Sequence, residues 1–209
     1  MKLIMLGAPG AGKGTQAAII CEKYSIPTIS TGAIIRAAIR GGTPVGKQAK
    51  DYIDKGLLVP DEVVIGIIKE RLAEDDCKNG FILDGFPRTT AQADALEKMG
   101  ILIDYAVSIE VDDSIILDRL GGRRECSGCG ATYHIKYNPS KSGDKCEKCG
   151  GELITRPDDC EETIMSRLKV YHETTEVLKD YYEKRGKLIK INGDAGVDDI
   201  TNEIFAALG

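Results

Sequence analysis

Lys2-Leu3-Ile4-Met5-Leu6-Gly7-Ala8-Pro9-Gly10-Ala11-Gly12-Lys13-Gly14-Thr15 decides how this chain is read. The apolar run Leu3 to Leu6 predicts a buried strand, which breaks at once into a glycine-rich turn. From Thr15 through Ile20 the pattern becomes helical. A strand, a glycine loop and a helix N-terminus in that order form a phosphate cradle. Backbone N–H groups converge on an anion, the helix end adds partial positive charge, and Lys13 adds a full one. Gly10, Ala11, Gly12, Lys13, Gly14 and Thr15 are therefore candidate ligands of a nucleoside polyphosphate. The strict spacing G-x-x-x-x-G-K-[ST] is missed by one residue, because Gly14 separates Lys13 from the hydroxyl of Thr15.

Strand and helix patterns alternate along most of the chain. Further strands are expected at Gly80–Leu83, Tyr105–Val111 and Lys187–Ile191, with a short one near Pro27–Ile29. Helical periodicity runs through Gln16–Lys23, Gly32–Arg40, Val45–Lys55, Asp61–Ala73, Thr90–Met99, Ser114–Gly121, Cys160–Arg185 and Val197–Leu208. This alternation predicts an α/β fold with a parallel β-sheet flanked by helices. Ligands of such folds bind beyond the carboxyl ends of the strands, where the Gly7–Thr15 loop sits. Two segments interrupt the pattern. Residues 30–59 are helix-rich and carry no core strand, and residues 122–158 are rich in glycine, lysine and cysteine. The core is left as 1–29, 60–121 and 159–209.

Composition narrows the function. With 209 residues, 42% hydrophobic and 29% charged, the chain can bury a sizeable core and reads as soluble and globular. A net charge of −5 argues against a nucleic-acid or anionic-membrane partner for the chain as a whole. No apolar run is long enough to span a membrane, and no leader pattern precedes the first strand, so a cytoplasmic protein is expected. Four of the seven cysteines fall as Cys126-x2-Cys129-x16-Cys146-x2-Cys149, the paired-knuckle spacing of a tetrathiolate zinc site. Four thiolates leave no open coordination position, so this metal is expected to staple residues 122–158 rather than do chemistry. Cys21, Cys77 and Cys160 are scattered singles, expected to be small and mostly buried.

A second chemical motif is Leu83-Asp84-Gly85-Phe86-Pro87-Arg88. An aspartate ending a buried strand beside a phosphate loop can organise the waters of Mg²⁺, and Arg88 can grip a second phosphate. Taken together, several motifs resemble the adenylate kinase family along essentially the whole chain. They are the Gly-Lys-Gly-Thr loop ending, Ser30-Thr31-Gly32, Arg36, Asp84–Arg88 followed by Gln92, and Arg156-x-Asp158-Asp159. Within that family the chain looks like the long-lid bacterial type, whose lid binds zinc through four cysteines. The family also displaces the loop threonine, as here.

The resemblance implies a P-loop nucleoside monophosphate kinase with two inserted mobile domains, an AMP-binding domain at 30–59 and a lid at 122–158. The implied reaction is MgATP plus AMP giving two ADP, carried out by a monomer with Mg²⁺ and structural Zn²⁺. Lys13 and the loop amides would hold the ATP phosphates, with Arg119 on the adenine. Tyr133, His134, Tyr137, Gly193 and Ala195 would complete the ATP site. Thr31, Gly32, Arg36, Leu57, Leu58, Val59, Gly85, Arg88, Gln92, Arg156 and Arg167 would receive AMP, with Gly56 nearby and Gln92 reading the base. Arg123, Arg156 and Arg167 would converge on the phosphoryl group in flight, while Asp158 and Asp159 steady the closed lid. His172 is expected to be a surface helix residue. Two other readings stay open: a kinase for UMP, CMP or GMP on the same fold, and a non-catalytic nucleotide-binding module with a zinc ribbon. Against the latter stand the arginines drawn from several segments, more phosphate ligands than binding alone requires. Against a zinc ribbon that binds nucleic acid, residues 123–156 hold seven Lys/Arg and four acids, a mild surplus accounted for by phosphate-facing arginines.

One position departs from the family pattern. Ser-Thr-Gly-Asp is usual, and Ala33 stands where the carboxylate would be. Ala33→Asp should lower the Mg²⁺ concentration that gives half-maximal turnover. Superimposable magnesium titrations of the two proteins would count against this.

Overall fold

The computed structural model describes residues 1–209. In chain order the core begins with β1 (Lys2–Leu6), α1 (Lys13–Tyr24) and β2 (Thr28–Ser30). The helices α2 (Thr31–Arg40), α3 (Pro44–Asp54) and α4 (Asp61–Leu72) come next. Then come β3 (Phe81–Asp84), α5 (Thr90–Lys98), β4 (Tyr105–Glu110) and α6 (Asp113–Gly121). A small separate sheet consists of β5 (Arg123–Cys126), β6 (Thr132–His134) and β7 (Leu153–Ile154). The chain ends with α7 (Glu161–Val170), α8 (Val177–Glu183), β8 (Leu188–Asn192) and α9 (Val197–Leu208).

The main sheet has the order β2-β3-β1-β4-β8 and is parallel throughout. The strand β1 is central, with Ile4 opposite Leu83 on one side and Ala106 on the other. A central parallel strand must be apolar on both faces, which is why Leu3 to Leu6 is an unbroken apolar run. Alternate residues feed two different cores. Leu3 and Met5 pack with Ile20, Val107, Ile116, Ile164 and Ile204 on one face. Ile4 and Leu6 pack with Ile68, Phe86, Leu96 and Leu178 on the other. Helices therefore cover both faces, and the glycine loop leaves the carboxyl end of β1.

Two units depart from this frame. The antiparallel hairpin α2–α3 is closely packed, since a Cβ on Gly46 would stand 2.2 Å from the Ala38 carbonyl oxygen. Pro44 starts α3, and the Thr43 hydroxyl caps it by accepting from the Gly46 N–H at 3.1 Å. The small antiparallel sheet, order β6-β5-β7, has only Cys126, Tyr133 and Cys146 as a buried cluster.

The helix expected over Cys160–Arg185 is interrupted. Residues Tyr171–Thr175 form a π turn between α7 and α8. One added residue in a helix rotates the next segment by about 100°. As a result Ile164 and Leu168 face the first core while Leu178 and Tyr182 face the second. The turn is also tied to a distant loop, because Thr175 donates to the Arg88 carbonyl at 2.9 Å. Among the scattered cysteines Cys77 is buried, whereas Cys160 is exposed and not buried as its composition suggested. It lies at the start of α7, where its thiol donates to Thr163.

His172 is exposed on the helical surface, as expected, and is paired there. From the π turn it meets Glu176 through Nδ1 at 2.8 Å and Asp113 of α6 through Nε2 at 3.1 Å. Hydrogen bonding to Glu176 foremost, opposed by burial and assisted by Asp113, raises the His172 pKa above its ordinary value. A raised folded-state pKa means this contribution is fully present below the unfolded value near ~6.5 and is lost as pH rises through the folded pKa. The Tm difference between wild type and His172→Gln should therefore be larger at pH 5.5 than at pH 8.5. A pH-independent difference would contradict the assignment.

Candidate active site

The site lies where β1 and β3 end. Gly7 has a φ of 133°, and a Cβ there would stand 2.5 Å from the Ile109 carbonyl oxygen, so only glycine lets the loop turn past the end of β4. Lys13, first residue of α1, donates from Nζ to the carbonyls of Gly7 and Ala8 at 2.8 and 2.7 Å. Burial lowers its pKa to about 8, and Asp84 opposes that fall. An anion in the loop would favour the charged ammonium. Gly14 and Thr15 at the helix start remain accessible, and Asp84 Oδ2 would lie 3.5 Å from a Cβ on Gly14. The carboxylate thus faces the helix start beside the loop.

Arginines arrive from five segments: Arg36 from α2, Arg88 from the turn after β3, Arg123 from β5, Arg156 from beyond β7, and Arg167 from α7. Lys13 is within Coulombic reach of Arg88, Arg167 and Arg123, and Arg88 within reach of Arg167 and Arg36. Burial first, then neighbouring cations, pushes Arg156 down to about 10. Burial likewise holds Arg88 and Arg167 below the ordinary guanidinium value. Such a cluster is unfavourable unless anions complete it.

Some of those anions are built in. Arg123 Nε donates to Asp159 Oδ2 at 2.7 Å, and its Nη2 meets the other oxygen. Arg167 Nη1 donates to Asp159 Oδ1 and to the Asp158 carbonyl, both at 2.9 Å. Burial alone would raise the Asp158 carboxyl, but Arg167 foremost, with Arg123, Arg36 and Arg156, holds it below the usual range. Glu125, a residue the sequence offered only as one more acid of the cysteine module, pairs with Arg36 at 3.6 Å and with Arg156. Three buried polar atoms of the site still have no partner: Thr31 Oγ1, Arg36 Nε and Arg156 Nε. Buried donors of this kind call for an acceptor from a ligand.

Other residues named from the sequence are placed unevenly. Arg119 donates to the Gly193 carbonyl at 2.8 Å and the Ala11 carbonyl at 3.4 Å, joining the phosphate loop to the β8–α9 turn. Gly193 is buried and Ala195 exposed in that turn. Along the segment after α3, Gly56 and Val59 are buried, Leu58 is half-buried and Leu57 exposed, while Gly56 packs against Thr163 and Arg167. Gly32 and Gly85 lie beside the guanidinium groups of Arg36 and Arg88 respectively. Ala33 is exposed on α2.

Gln92 is engaged at both ends of its amide. Oε1 accepts from the Arg88 N–H at 2.7 Å, and Nε2 donates to Asp61 at 2.7 Å. Thr89 donates to the other oxygen of Asp61 at 2.9 Å. Only one amide hydrogen of Gln92 is left for a base, which narrows the expected role. Asp61 carried no sequence signal beyond an acid in the first turn of a helix.

Tyr133 needs a correction. It is buried on the face of β6 opposite His134, and its hydroxyl lies 3.4 Å from Cys146 Sγ while accepting from the Glu147 N–H at 2.9 Å. Strand alternation turns it toward the cysteines and away from the cleft. His134 Nδ1 accepts from the N–H groups of Lys136 and Tyr137, both at 3.0 Å. Its Nε2 therefore carries the hydrogen, which is buried without an acceptor, and burial lowers the pKa of the ring. Tyr137 stacks on His134 at 4.5 Å, is half exposed, and donates its hydroxyl to Asp118.

The model of the adenylate kinase family matches residues 5–187. The chain belongs to that family. Curated relatives named adenylate kinase are similar over the whole chain. Those from Acetivibrio thermocellus and Thermodesulfovibrio yellowstonii are 54% and 55% identical, each across 100% of this chain and 98% and 99% of their own. That from Agathobacter rectalis is 54% identical with full coverage of both. The P-loop nucleoside monophosphate kinase fold of this family fits the parallel sheet described above, and its members are transferases.

In this adenylate kinase family member the four cysteines form a ready donor set. The sulfurs of Cys126, Cys129, Cys146 and Cys149 all lie within 4.8 Å of one another. Two of the separations are 3.4 and 3.6 Å, close to the roughly 3.8 Å that a tetrahedral ion with ~2.3 Å metal–sulfur bonds sets between its ligands. The donors and their spacing therefore fit a metal ion. Three buried side chains cannot offset the entropy of ordering this segment unaided. Chelation should accordingly lower the unfolding temperature of residues 123–154 while the helical circular dichroism of the core survives. Loss of the whole helical signal on mild metal removal at room temperature would contradict this.

Proposed function

We propose that this chain catalyses reversible phosphoryl transfer from MgATP to AMP, giving two ADP. One observation supports it above all: Lys13 and the arginines at 36, 88, 123, 156 and 167 meet at one strand end, with three buried polar atoms still lacking partners. A site for one nucleotide has no use for so many phosphate ligands. Two phosphate chains facing each other do.

The phosphate loop and Lys13 take the donor's phosphates, and Arg119 with Gly193 borders its base. Thr31, Arg36 and Arg88 take the acceptor's phosphate, with Val59, Gly85 and Gln92 about its base. Arg123, Arg156 and Arg167 neutralise the group in transit. An oxygen of the AMP phosphate forms the new bond to the γ-phosphorus, the bond to the β-bridging oxygen breaks, and its electron pair stays on the departing ADP. The attacking oxygen is already anionic, so no general base is required. The protein's contribution is alignment and charge neutralisation, for which fixed guanidinium forks are suited. Asp84 would hold the hydration shell of Mg²⁺ on the donor phosphates, where the ion withdraws charge.

The remaining assignments rest on the same reading. Residues 30–59 form the acceptor domain, and 122–158 form a mobile lid, with Asp158 and Asp159 at its junction with the core binding Arg167 and Arg123 on closure. Zn²⁺ bound by the four cysteines is structural. The chain acts as a monomer, since every phosphate ligand comes from one copy. It works in the cytoplasm, consistent with seven unpaired cysteines, and without nucleic-acid or membrane partners. No helix is long and apolar enough to cross a membrane.

The test offers MgATP with AMP, UMP, CMP and GMP separately and follows ADP. AMP should be the fastest acceptor by at least about 100-fold, the lower end of what pocket discrimination gives, with hydrogen bonds to the base able to add more. Preference for a pyrimidine acceptor would overturn the acceptor assignment, and no turnover with any would overturn the enzyme.

A further inference from the structure

Glu125 is a carboxylate set among the cations of the acceptor side. In β5 it is two residues from Arg123, so both project from the same face of the strand, opposite to Cys126. Its side chain is 9% exposed. One carboxylate oxygen, Oε2, meets Nη2 of Arg36 at 3.6 Å and Nη2 of Arg156. These two arginines come from different units, α2 and the strand end beyond β7, and each keeps a buried Nε without a partner. Nothing else in the site binds both at once. Asp158 and Asp159 are occupied by Arg167 and Arg123.

We propose that Glu125 is an internal counter-anion that occupies Arg36 and Arg156 until the acceptor's phosphate displaces it, and so sets the affinity for that phosphate. The proposal rests on the reading given above, in which Arg36 takes the acceptor's phosphate and Arg156 meets the group passing to it. A carboxylate and a phosphate seek the same guanidinium hydrogens, and both cannot lie between these two groups without repelling each other. The fraction of molecules in which the pair is free scales the apparent affinity directly. The role is positional: Glu125 acts through the two arginines and touches no reacting atom.

Glu125→Gln keeps the shape and removes the charge. Calorimetric titration of the full chain should show AMP binding tightened by about 5–10-fold, the gain expected when most of a competing state is removed. Adenosine, which lacks the phosphate, and MgATP should each bind within about twofold of wild type, a difference of under ~0.5 kcal/mol. The KM for AMP should fall with kcat changed far less. Glu125→Val, which suits a strand, removes the charge by a second route and should shift AMP binding the same way. AMP affinity that is unchanged or weaker in both variants would overturn the proposal. So would equal tightening of adenosine, which would mean a general change of the cleft. If wild type binds UMP, CMP or GMP in place of AMP, the acceptor assignment fails, and the same comparison made with that nucleotide still decides the role of Glu125.

Discussion

Concentrated positive charge is the constraint on which this molecule turns. Two like charges about 4 Å apart repel by roughly 4 kcal/mol at an effective dielectric near 20, a sizeable share of the ~5–15 kcal/mol that holds a domain together. Lys13, Arg36, Arg88, Arg123, Arg156 and Arg167 could not be gathered without compensation. The acids nearby supply it, each from a segment that also carries or borders one of the cations. Asp159 binds Arg123 and Arg167, Glu125 spans Arg36 and Arg156, and Asp84 sits beside Lys13. The compensation is incomplete, as the lowered arginine values and the unpartnered Nε atoms record. What is left over is a net attraction for an anion.

The two small units solve different stability problems. The α2–α3 hairpin joins the second core through Ile35 and Ala49, so it belongs to the body of the fold energetically even as it carries Arg36. The small sheet shares no core with the rest. It is held by the cysteine cluster and by the Tyr133 hydroxyl set against Cys146. Its side-chain ties to the other units are ionic or made to charged groups, through Asp159, Glu125 and Asp118. Ionic contacts between units can be exchanged for ligand contacts, which packed apolar surfaces cannot.

Most of the main sheet was legible because buried parallel strands demand apolar runs, and Leu3–Leu6, Phe81–Leu83 and Ala106–Ile109, the last broken only by Ser108, supply them between turn residues. The phosphate loop and the cysteine spacing were legible for a similar reason: each packs its chemistry into one short stretch. The strands of the small sheet were not. Arg123-Arg124-Glu125-Cys126 has no apolar alternation, and its strand form comes from the cysteine cluster and from pairing with β6 and β7. The π turn at Tyr171–Thr175 is equally silent, since its anchor, the Arg88 carbonyl, lies far away in sequence. Asp61 and Glu125 escaped notice because their meaning lies in Gln92, Arg36 and Arg156, partners that only the fold brings near. Tyr133 departs from what the resemblance implies because the face a ring takes on a short strand is set by its neighbours, here β5 and the cysteine cluster.

The central place of β1 has a consequence for the chain as it is made. This strand leaves the ribosome before any other in the sheet, yet it pairs with Phe81–Asp84 on one side and Tyr105–Ser108 on the other. Both partners are complete only about a hundred residues later, a wait of roughly 5–20 s at ~5–20 residues per second. Until Phe81–Asp84 is made, Leu3-Ile4-Met5-Leu6 has both edges unsatisfied, and one stays open until Tyr105–Ser108 follows, the condition under which apolar strands seek strangers. Early folding of this protein is therefore a matter of shelter, and the growing α1 and α2 helices are the first native cover the chain can offer β1.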